Sequence, residues 1–156
     1  MSLIMDMILL TTSEGKQRLQ ENLEFVSASL TAVDILDDAG SAQLQKLGEI
    51  KGALDKTIDV LSFPETAIKN IGAAIEISYA ISDLRGDIRS NPQRSAKAFG
   101  RIFAGLAVFS QYMPFPVSMY FSIFEGAEDF FENLRIQMQP EIHMREPGLR
   151  EVIDNL

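Results

Sequence analysis

Four carboxylates are the first residues whose types and spacing could do chemistry. Glu128, Asp129 and Glu132 lie three, four and seven positions after Glu125, so all four share one face of a helix. Such a face could gather oxygen ligands around a hard cation or supply part of a di-metal centre. Di-metal bundles complete the ligand set with Glu-x-x-His motifs, whereas this chain has one histidine, His143, and it stands in no such motif. The four read as a solvated acidic face, and neither a metal nor a cofactor is expected.

The other chemical candidates have local explanations. Ser13-Glu14-Gly15-Lys16 matches a Ser-x-x-Lys spacing in which a lysine activates a serine nucleophile. The companion motifs are missing, and Ser13 already serves as part of a helix cap. His143, between Ile142 and Met144, has no Ser or Cys nucleophile nearby to work with. Gly100 and Gly105 are followed by no Lys-Ser or Lys-Thr pair, so they form no phosphate loop. Arg85-Gly86-Asp87 spells a tripeptide known from integrin ligands, but a glycine near a helix end explains it better. No catalytic residue is assigned, and the chain is not expected to be an enzyme.

What stands out instead is a stretch without chemistry. Ile102 to Phe124, 23 residues, contains no Asp, Glu, Lys, Arg or His, in a chain where 23% of residues are charged. So long a run must be hidden in a core, in a partner or in a bilayer. Pro114 and Pro116 divide it, because each proline disfavours helical geometry in the residue before it. Its longer half, Ile102 to Met113, reaches roughly 18 Å at 1.5 Å per residue, short of a hydrocarbon core of about 30 Å. The stretch is therefore expected to be the closed end of a helical hairpin.

The totals agree with a helical domain that folds on its own core. At 156 residues the chain suits one domain, which buries roughly 70% of the surface its unfolded chain exposes. Cysteine is absent, which excludes a disulfide framework and zinc–thiolate sites. A net charge of −8 and a pI near 4.6 oppose phosphate backbones, so nucleic acid is not an expected partner. Mean hydropathy is +0.05, below that of an integral membrane protein. Residues 1–11 are apolar but lack a basic n-region and a small-residue cleavage site, so they are expected to stay unprocessed, on a chain made in the cytoplasm.

The elements that must position these residues follow from apolar spacing and caps. Thr11-x-x-Glu14 matches a capping box, and Leu19, Leu23, Val26, Leu30 and Val33 lay a narrow stripe along a first helix ending at Asp37-Asp38-Ala39-Gly40. Ser41 caps a second helix with Leu44, Leu47, Ile50, Leu54, Ile58 and Leu61 inward, and Gly48 and Gly52 are expected to notch it for a neighbouring backbone. A third helix, opened by Pro64 and running past Leu84, is apolar on nearly every side and is expected to be the most enclosed, with Glu76 at a packing gap. Asn91-Pro92 starts a fourth helix to about Tyr112, and Pro116 a fifth to about Met138. Pairing positions that sum to roughly 230 predicts a charged ladder of Arg94, Lys97 and Arg101 against Asn133, Asp129 and Glu128. Residues 140–156 form a polar tail.

The fold class expected is therefore all-α, a compact antiparallel bundle of about five helices built from two helical hairpins around a central helix, in a single domain. The function expected is a non-enzymatic interaction module of adaptor, cognate-inhibitor or secretion-accessory type. It would bind a protein partner, or itself, through Tyr112, Phe115 and Met119 at the closed end of the hairpin or through the acidic face. The alternative is a membrane-active, toxin-like hairpin; a weaker one is an apolar-ligand pocket lined by Phe103, Phe109, Met113 and Phe121.

Overall fold

The computed structural model describes residues 13–30, 41–88 and 90–145. Five α-helices run through them: α1 Ser13–Ser29, α2 Ser41–Leu61, α3 Ile71–Asp87, α4 Pro92–Ser110 and α5 Phe121–Arg145, with one 3-10 turn, Val117–Tyr120, before α5. They pack as a compact all-α bundle without strands among the described residues. Thr11, Val33, the Asp37–Gly40 helix end, Arg89 and the tail beyond 145 lie outside the described residues.

Local signals account for several boundaries. Asn91 accepts a hydrogen bond from the Arg94 amide at 3.0 Å, and Pro92 follows at the first helical position, where its missing N–H costs nothing. The third helix departs from expectation. Pro64 lies in a turn, residues 66–70 are irregular, and the helix begins at Ile71 under an Asn70 cap that accepts from the Ala73 amide at 3.0 Å. The reason is tertiary: the Lys16 ammonium donates to the carbonyls of Phe63 and Thr66, both at 2.6 Å, tying this loop to α1. At the other end of the chain α5 continues to Arg145, through positions expected to begin the tail.

The α4–α5 hairpin and α3 form the body of the bundle. Phe99 stacks on Phe131 at 4.8 Å between centroids, and Phe103 lies nearly parallel to Phe131 at 5.7 Å and to Phe124 at 6.1 Å. These rings are buried and hold the hairpin near the expected register. On its other side α4 meets α3 at Gly105, where a Cβ would fall 2.7 Å from Cγ1 of buried Ile77. α4 is thus flanked on two sides. It, rather than α3, is the most enclosed helix, with Ser95, Ala96, Ala98, Phe99, Ile102, Phe103, Leu106, Ala107, Phe109 and Ser110 buried. α3 leaves Glu76 and Asp83 on the surface.

α1 and α2 make the second hairpin. Leu19, Leu23, Val26 and Leu30 are buried, as are Leu47, Ile50, Leu54, Ile58 and Leu61, but Leu44 is exposed. Ser27 donates to the Asp55 carboxylate, whose other oxygen accepts from Lys51 at 2.9 Å, and the earlier Lys16 of α1 reaches Thr66 beyond the end of α2, so the two helices run antiparallel. The Arg85 guanidinium lies 4.0 Å from the centre of the Phe25 ring and donates to Asn22 at 3.2 Å. The Arg85-Gly86-Asp87 tripeptide is therefore the last turn of α3, with its arginine joining α3 to α1.

Two sequence expectations are corrected. Gly48 and Gly52 have nothing within 4 Å of a built Cβ and lie on the surface, so they notch no helix contact; the close approach falls at Gly105. The charged ladder does not form as expected either. Arg101 pairs with Asp83 of α3 at 2.6 Å, leaving the aromatic stack to set the hairpin register. Lys97 acts across the hairpin as an attraction on Glu132.

Two stability predictions follow from this packing. Gly105→Ala should lower the unfolding free energy in urea by about 1–3 kcal/mol through overpacking against Ile77, while Gly48→Ala and Gly52→Ala should each raise it by about 0.5–1 kcal/mol. Ser95 Oγ is buried without a hydrogen-bond partner, alone in this among the described residues, so Ser95→Ala should raise stability by about 1 kcal/mol in the same assay.

Candidate docking site

The closed end of the α4–α5 hairpin is built by a chain that reverses between two clamped helices. α4 ends as its last amides shorten their bonds: Gln111 donates to the Val108 carbonyl at 3.3 Å, Tyr112 to Phe109 at 3.1 Å and Met113 to Ser110 at 3.1 Å. Pro114 has no amide to continue the ladder. The Phe115–Pro116 bond is cis, and the Met119 amide closes the next turn onto the Pro116 carbonyl at 3.0 Å.

This reversal sorts its apolar residues between inside and outside. Met113 and Val117 are buried and anchor the turn in the core. Tyr112 is 51% exposed, Phe115 75% and Met119 64%. All three residues singled out in the sequence are thus exposed on the segment that joins α4 to α5. Val108, 45% exposed one helical turn before Tyr112, extends the exposed apolar run along α4 and was not anticipated. A signal for it existed: the polar stripe Lys97, Arg101 continues at helical spacing to position 108.

The residues considered as a ligand pocket are placed differently. Phe103 and Phe109 are fully buried, Met113 nearly so, and Phe103 is occupied by its stacking on Phe124 and Phe131. Phe121 is half-buried against the same core.

The acidic face begins one turn beyond Met119. Ser122, Glu125, Glu128, Asp129 and Glu132 are all exposed on α5. Glu132 is engaged by the Arg135 guanidinium, whose Nε donates to it at 3.1 Å and whose Nη2 donates to its other oxygen. These hydrogen bonds hold the Glu132 carboxyl below its usual range against the opposing effect of desolvation, with the charges of Arg135 and Lys97 adding to the lowering. Glu125, Glu128 and Asp129 have no ion pair among the described residues. Lys46 of α2 reaches the edge of this helix at Gly126. Among the described residues no group of three or more His, Cys, Asp or Glu is placed to hold a metal ion, and no helix is long and apolar enough to cross a membrane.

The lysine of the Ser13–Lys16 spacing is held as a clamp on the Phe63 and Thr66 carbonyls. Comparison with protein-family models, with curated proteins and with solved structures finds no match for this chain. The class that the fold itself defines is a helical bundle with an exposed apolar hairpin tip.

A carboxylate whose pKa is depressed on folding adds stability that is present above its unfolded-state pKa and is lost as pH falls through its folded-state pKa. Glu132 should therefore titrate below the ordinary glutamate range when its side-chain carboxyl shift is followed by NMR, and Arg135→Ala should bring it back into that range.

Proposed function

We propose that this protein is a non-enzymatic interaction module that docks a protein partner through the closed end of its α4–α5 hairpin. One observation carries the reading: Phe115, Met119 and Tyr112 are outward on a turn in the middle of the longest uncharged stretch of the chain, with Phe115 75% exposed. Turn tips are ordinarily polar, because a polar residue there loses nothing to water, whereas a large exposed aromatic gains only when something covers it. Aromatic residues and methionine are also the types enriched at the centres of protein interfaces. The turn is held by buried Met113 and Val117, so the three side chains are presented on a preformed support.

The acidic face extends the same surface down α5. An adaptor, an inhibitor of a cognate enzyme and a secretion accessory all fit this arrangement, since each works by holding a partner and none needs a reactive group.

A photo-crosslinking residue at position 115 or 119, introduced into the full chain, tests the reading. A discrete protein adduct from these positions in cells of the source organism, absent when the probe is at exposed Ser82 of α3, is expected. Equal labelling at all three positions would remove the case for docking at the tip. Phe115→Asp should abolish the adduct formed at 119 while changing the unfolding free energy by no more than about 0.5 kcal/mol, as suits an exposed position.

A further inference from the structure

The size and charge of this surface narrow the partner's chemistry. Val108, Tyr112, Phe115 and Met119, exposed to the extents above, present about 350–600 Å² in total if a large side chain offers about 150–250 Å². A stable interface takes roughly 800 Å² from each side, so the tip needs a flank. The exposed stripe that continues from Met119 runs through Ser122 and Glu125 to Asp129, with Glu128 beside it. That flank carries three carboxylates with no ion pair among the described residues, on a chain of net charge −8. The Lys46 ammonium comes near it at Gly126 without forming an ion pair with any of the three.

These facts separate two occupants. A second copy meeting this surface in a two-fold arrangement would set its Glu125, Glu128 and Asp129 against either the same carboxylates or the apolar tip, and neither neutralises them. A partner with Lys or Arg beside an apolar groove gains from both parts of the surface. We infer that the occupant of the hairpin tip is a heterologous protein surface made of an apolar groove rimmed by basic residues, with Phe115 and Met119 filling the groove and Glu125, Glu128 and Asp129 facing the rim. This inference rests on the docking reading above and adds the partner's charge and the exclusion of self-pairing.

Two synthetic amphipathic helical peptides of equal length and identical leucine face, one with lysine and one with glutamate at the remaining positions, serve as probes in fluorescence anisotropy with the full chain. The lysine peptide should bind at least about tenfold more tightly than the glutamate one, and weaken as salt is raised from 50 to 300 mM. Neutralising the flank by Glu125→Gln, Glu128→Gln and Asp129→Asn should weaken it about tenfold, as expected of three partly screened pairs. Removing three charges elsewhere, by Glu24→Gln, Glu49→Gln and Asp59→Asn, should leave it within about twofold, and Phe115→Asp should abolish it.

If both peptides bind alike and both are lost in Phe115→Asp, docking at the tip stands and the basic rim is refuted. Equal loss from the flank and the distant neutralisations would refute it too, by reducing the effect to net charge. If no peptide binds, or binding ignores Phe115→Asp, both readings fall. A dimer in sedimentation velocity that Phe115→Asp disperses would assign the tip to a second copy, and Phe115-dependent binding to phosphatidylcholine vesicles would assign it to a bilayer. Either result overturns the inference.

Discussion

The stacking of Phe99 and Phe103 on Phe131 and Phe124 is the interaction on which the rest of the structure depends. Four buried rings, nearly parallel in three successive contacts, fix how far α4 and α5 slide along one another. Flat rings tolerate little displacement before they lose contact, so the register is set by shape, whereas surface charges would tolerate several registers. The close approach at Gly105 adds a second constraint, because only the missing Cβ lets α4 lie against Ile77 of α3. Between these two contacts α4 has no freedom to turn.

The hairpin tip follows from that clamp. With α4 and α5 held in place, residues 111–120 must reverse the chain over a fixed gap, and two prolines prevent either helix from continuing through it. A short reversal cannot bury every side chain it carries. Met113 and Val117 take the positions that face the core, which leaves Tyr112, Phe115 and Met119 outside. The apolar surface on which the proposed docking rests is thus tied to the rigidity of the hairpin beneath it.

Long side chains then fasten the α1–α2 hairpin to this body. Lys16 reaches two carbonyls of the loop after α2, and Arg85 covers Phe25 while bonding Asn22. Arg101 similarly ties α4 to α3 through Asp83. Exposed pairs of this kind contribute about 0 to 1 kcal/mol each, so they orient elements whose adhesion comes from buried Leu19, Leu23, Val26, Leu54 and Leu61.

Several features were legible in the chain alone because their causes are local. The Asn91-Pro92 start depends on one side chain and one missing amide, the Pro114-Phe115-Pro116 break on two rings, and the helical period of α1 on the spacing of its leucines. The hairpin and its register near a sum of 230 also followed, since a short proline-broken turn leaves antiparallel helices little choice. Partners and exposure could not be read in this way. Arg101 chose Asp83 over the carboxylates of α5, α3 waited for Asn70 because Lys16 held the preceding loop, and Gly105 rather than Gly48 or Gly52 met a neighbouring helix. Each of these outcomes depends on which helix lies opposite, a matter of three-dimensional placement. The sequence determined that a long uncharged stretch folds back on itself at Pro114 and Pro116; only the tertiary structure decided that Phe115 and Met119 point away from the core, because the inward places at that turn were already filled by Met113 and Val117.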